Sequence, residues 1–114
     1  MAVKTLTPQK GDFNKITAIE FEAATAAADG MEFKLPSRDM ETYIIVQNTN
    51  GSNAYTITVK APTTQGYTSA STDLVKSIPA NGFAIIKLES AVYADKGMVK
   101  LIPQNTAVKA AVIY

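Results

Sequence analysis

Residues Thr42 to Pro62 read TYIIVQNTNGSNAYTITVKAP, and this stretch decides the fold class. Two runs rich in β-branched and aromatic residues flank Thr49-Asn50-Gly51-Ser52-Asn53, a cluster of turn formers. Such side chains suit a pleated surface, and Asn-Gly supplies the positive φ values of tight strand reversals. The stretch is therefore predicted to be a β-hairpin. In its second arm Tyr55, Ile57 and Val59 alternate with Thr56, Thr58 and Lys60, which gives one dry face and one wet face. In its first arm Tyr43-Ile44-Ile45-Val46 is apolar on both faces, as expected of a strand in the middle of a sandwich or covered by a subunit.

Strand signals continue on both sides. Met31, Phe33 and Leu35 alternate with Glu32 and Lys34 between Asp29-Gly30 and Pro36. Leu74 to Ile78 is extended, and Pro79-Ala80-Asn81-Gly82 turns the chain into Phe83 to Leu88. Lys96-Gly97 introduces Met98 to Ile102, Pro103-Gln104-Asn105 forms the last turn, and Val108 to Ile113 is the final strand. Between Ala61 and Ser71 the polar sequence APTTQGYTSAS predicts a surface loop. The stretch from Ile16 to Ala28 is ambiguous. Ile19 and Phe21 alternate with Glu20 and Glu22 as in a strand over Thr17 to Ala23, while the alanines leave a short helix at Ala23 to Ala28 open.

About eight short strands at regular spacing predict an all-β antiparallel β-sandwich, jelly-roll-like or immunoglobulin-like. Ile45, Ile57, Phe83 and Ile86 are its expected core, with Tyr55 buried beside them. Residues 14–114 make a single sandwich domain, and residues 1–13 are either its first strand or an arm that docks on a neighbour.

Composition narrows the function classes. The chain has 114 residues, 46% of them hydrophobic and 18% charged, which suits one packed domain. The net charge is +1, and ten lysines and Arg38 are dispersed, so no nucleic acid ligand is expected. Cysteine is absent, which removes disulfides and thiolate metal sites. No apolar leader and no membrane-spanning run is present, so synthesis in the cytosol without export by a classical signal is expected.

Catalytic chemistry finds little to use. Without His or Cys, the usual activated nucleophiles are missing. Lys76 and Ser77 are neighbours on a strand and point to opposite faces. Glu20 with Glu22, and Asp39 with Glu41, share faces, but solvated strand and turn positions explain both pairs. No carboxylates are spaced as in a calcium loop, and no cofactor or metal is expected. Asn50-Gly51-Ser52 matches a glycosylation acceptor but is read as a turn. Tyr67, in the polar loop, is the aromatic residue expected to be exposed.

Taken in order, Asp29-Gly30, YIIVQN at Tyr43 to Asn48, AYTITVKA at Ala54 to Ala61, SIPANG at Ser77 to Gly82 and IIKLES at Ile85 to Ser90 resemble small phage virion proteins of the head-decoration or auxiliary capsid type. The resemblance extends over Ala23 to Tyr114 and includes Lys96-Gly97 and Val99-Lys100-Leu101. It implies a non-enzymatic protein, made in the host cytoplasm and located on the virion, that decorates or cements the shell in many copies. The implied partners are the major capsid protein or another virion protein, and further copies of the chain. Val3, Lys4, Leu6 and Phe13 are then candidate capsid or subunit contacts, and Tyr67 a candidate loop contact. A glycan- or surface-binding sandwich is the alternative, and it requires exposed aromatics on one face.

Overall fold

A computed structural model of the chain describes residues 3–11, 14–34, 42–62, 72–88, 93 and 98–114. The fold is an all-β sandwich of two sheets. Its strands are β1 (Lys4–Thr5), β2 (Glu22–Ala23), β3 (Met31–Lys34), β4 (Tyr43–Asn48), β5 (Tyr55–Val59), β6 (Leu74–Ile78), β7 (Phe83–Ile86), β8 (Met98–Pro103) and β9 (Val108–Ile113). One sheet has the order β1-β3-β8-β5-β6 and the other β2-β9-β4-β7. All named pairs are antiparallel except β1 with β3.

The expected hairpin at Thr42 to Pro62 is replaced by an arch between the sheets. β4 pairs with β7 and β9, and β5 pairs with β6 and β8. Neither Asn50 nor Gly51 takes a left-handed φ, so the turn that would fold β4 back on β5 does not form. Instead the Asn50 side-chain oxygen accepts the Ser52 and Asn53 N–H groups, both at 2.8 Å. Thr49 is drawn to the β8–β9 turn, where its N–H and hydroxyl both donate to the Ala107 carbonyl. The left-handed residue of this region is Asn81, φ 59°, whose N–H donates to the Asn50 carbonyl and so ties the β6–β7 link to the β4–β5 link.

Between the sheets Met31 and Phe33 of β3, Ile57 and Val59 of β5, and Val99 and Leu101 of β8 meet Ile44 and Val46 of β4 and Val108 and Val112 of β9. Ile57 is buried as expected, but Ile45 and Ile86 are only half-buried and Phe83 is 61% exposed. The correction is one of parity. Asn48 is fully buried, so Val46 and Ile44 point inward with it and Ile45 points outward. Cross-strand pairing of Gln47 with Phe83 and Ile45 with Ile85 puts Phe83 on that outer face. Tyr55 is half-buried and packs on the core.

The ambiguous Ile16 to Ala28 region forms neither a full strand nor a helix. Pairing is confined to Glu22 and Ala23, and Ala26 closes a turn by accepting the Asp29 and Gly30 N–H groups. Gly30 is required there: its φ is 71°, and a Cβ would lie 2.7 Å from the Leu101 carbonyl oxygen. The segment from residue 3 to residue 11 is built into the sandwich. Lys4 and Thr5 pair with β3, Leu6 is buried, and Gln9 pairs with Ile113 of the other sheet. Leu35 and residues 63–71 of the expected loop lie outside the described residues.

Candidate docking surface

The outer face of the β2-β9-β4-β7 sheet is apolar because two of its strands are apolar in both parities. β4 turns Ile44 and Val46 inward and leaves Tyr43 and Ile45 outside; β7 turns Ala84 and Ile86 inward and leaves Phe83 and Ile85 outside. Ile85 is 66% exposed. Phe21, preceding β2, lies with its ring centroid 6.3 Å from that of Phe83 at an interplanar angle of 59°. The Lys87 ammonium stands 5.0 Å above the Tyr43 ring, a cation–π contact at the end of the patch.

A second feature lies at one side of the sandwich, where β6 and β7 end their respective sheets. Asn48 N–H donates to the Gly82 carbonyl, so by alternation Gly82, Ala84 and Ile86 direct their backbone groups to β4. Those of Phe83 and Ile85 point to the open edge. On β6, Val75 and Ser77 do the same, since Gln104 N–H to Thr56 and Lys60 N–H to Lys100 orient β5. The two edges are splayed around a groove of about 370 Å³ lined by Ile57, Val59, Leu74 and Ile86, with Lys76 and Lys87 among the lining residues and no carboxylate.

The residues singled out from the sequence are scattered. Val3 is exposed, Lys4 is paired with Glu22 (3.3 Å), and Leu6 is buried in its own domain, so Leu6 presents no side chain to a partner. Phe13, Tyr67, Asp39 and Glu41 lie outside the described residues. Glu22 also accepts the Thr7 N–H, while the Glu20 backbone is clasped on both sides by the Gln9 side-chain amide, 2.9 Å and 2.8 Å. Lys76 lies opposite Ile57 and Ser77 opposite Thr56, on opposite faces of β6. Asp73 has its carboxyl held below the ordinary range, first by the Ala61 N–H and then by Lys60 at 2.9 Å. Among the described residues no three His, Cys, Asp or Glu side chains converge, and no helix is long and apolar enough to cross a membrane.

Sequence reading missed Tyr43, Phe83 and Ile85 as surface residues. The signal was present in the both-faces-apolar runs Tyr43 to Val46 and Phe83 to Ile86, which need a cover on each side.

No family model, no curated protein and no solved structure matches the chain.

Proposed function

We propose that the chain is a non-enzymatic structural protein of a phage particle, which decorates or cements the capsid shell by docking on a virion protein in many copies. The observation that carries this reading is the apolar outer face of the β2-β9-β4-β7 sheet, where Phe83 and Ile85 stand in water on a strand braced by the core. Contiguous exposed apolar patches mark interaction sites on soluble proteins. The order of motifs from Asp29-Gly30 to Ile85–Ser90 supports the shell as the partner. Docking through such a patch needs less affinity per copy where neighbouring copies on one particle also contact each other.

Phe21, Tyr43 and Phe83 share this face, which is the observation favouring a glycan-binding reading. Against it, the rings of Phe21 and Phe83 are tilted rather than coplanar, and the branched aliphatic Ile85 is the most exposed side chain between them. A protein surface fits that texture better than a sugar ring.

Purified chain mixed with phage heads that lack it should co-sediment and saturate at a fixed number of copies per shell. Phe83→Lys and Ile85→Lys should each weaken retention at least about tenfold. Failure to co-sediment, with retention on a glycan array abolished by the same variants, overturns the shell reading in favour of the alternative.

A further inference from the structure

Among the described residues, the segment Lys15 to Ile19 has no strand partner. From Lys15 to Ile19 no backbone hydrogen bond is made to any described residue. Ile16 is 103% exposed, whereas Lys15, Thr17 and Ile19 line a cleft of about 240 Å³ beside Gln9 and Ile113 of the same chain. By alternation the outward side of the segment is therefore Ile16, Ala18 and Glu20. Beyond it the Gln9 amide grips the Glu20 backbone and ties this end of the segment to the β1/β2 side of the sandwich, with Ile16 left outward.

At the other side of the sandwich, the β6/β7 groove has the complementary properties. Among the described residues it has two strand edges without a partner strand, an apolar floor, and Lys76 with no acid among its lining residues. Lys76 points between the sheets, since its pairing partner Ile57 is a core residue. An inward lysine on an edge strand deters indiscriminate strand pairing. A strand that brings a carboxylate to that lysine pairs its charge instead of burying it alone.

We infer that the Lys15–Glu20 segment of one copy adds as a strand to the β7 edge of a second copy, with Ile16 and Ala18 turned into the groove and Glu20 against Lys76. The β7 edge offers the free backbone groups of Phe83 and Ile85, the main-chain half of such an addition, and the groove supplies the side-chain half. Donor segment and acceptor groove lie on opposite sides of the sandwich, so the contact is heterologous and propagates head to tail into a ring or a chain of copies. This surface adjoins the sheet face assigned to shell docking, and Ile85 belongs to both.

Analytical ultracentrifugation of the full chain alone, from micromolar to millimolar concentration, tests the inference. The wild-type mass should rise with concentration. Ile16→Asp, which changes a fully exposed side chain, and Lys76→Glu should each weaken self-association at least about tenfold while retaining the wild-type circular dichroism spectrum. Mixing the two variants should restore a one-to-one dimer, because one keeps its groove and the other its segment. A wild-type chain that stays monomeric, an Ile16→Asp variant that associates like wild type, or a mixture that fails to dimerise overturns the inference. A chain that stays monomeric yet co-sediments with heads overturns it alone and leaves the shell reading standing.

Discussion

The side-chain amide of Asn48 donates to the carbonyl of Ile78 at 3.0 Å, across a sequence separation of 30 residues, and this bond sits fully buried where two inter-sheet arches meet. The same amide donates to the Asn53 carbonyl (2.9 Å) and the Pro79 carbonyl (3.3 Å), and its oxygen accepts the Asn50 N–H (3.0 Å). One side chain thus satisfies backbone groups of both the β4–β5 and the β6–β7 links, with the bond to Ile78 buried and the others part-buried.

Asn48→Ala should therefore lower stability by about 2 to 4 kcal/mol, since a fully buried side chain is cut back and one buried and two part-buried carbonyls lose a donor at once. Asn48→Asp should be no better, because a carboxylate oxygen would face those carbonyls. Denaturant titration checks both, and a loss near zero for Asn48→Ala would remove the corner role.

Parity predicts a contrast between two apolar residues that look alike in the sequence. Ile57→Ala empties a site in the middle of the sandwich and should cost about 2 to 5 kcal/mol. Phe83→Ala loses only its edge of contact with Phe21 and should cost less than about 1 kcal/mol. Equal losses in chemical denaturation would mean that Phe83 is a core residue.

Gly30→Ala combines a left-handed φ with a Cβ 2.7 Å from the Leu101 carbonyl oxygen, a backbone atom that cannot turn away. A destabilisation of at least about 2 kcal/mol is expected, visible as a lowered melting temperature. A neutral outcome would require the β3–β8 pair to shift without cost.

Asp73 supplies a pH dependence whose sign follows from its depressed carboxyl pKa. Stability from the charged form is present above the ordinary value of 3.8 and is lost as pH falls through the lower folded-state value. Asp73→Asn should thus melt below wild type at neutral pH, with the gap closing in strong acid. The carboxylate is solvent-exposed, so added salt should shrink the gap as well. A gap that widens toward low pH would contradict the assignment.

What the sequence determined by itself was the set of strands with a local signature. Met31 and Phe33 against Glu32 and Lys34, and Ile57 and Val59 against Thr58 and Lys60, announce both their strand state and their buried face, because side-chain alternation is a property of neighbouring residues. Val108 to Ile113 is also legible from its own residues, with the boundaries found in the fold. Which strands pair was not legible. Asn-Gly at residues 50 and 51 carries the chemistry of a hairpin, but the competing bonds of Asn48 and Thr49 reach Ile78, Pro79 and Ala107, partners that only the folded chain brings close. The outward face of Phe83 and Ile85 was decided at the same level. A strand apolar in both parities gives no local vote on which side is buried, so the parity of β4, set by the burial of Asn48, passes to β7 through the register and leaves two large apolar side chains facing water.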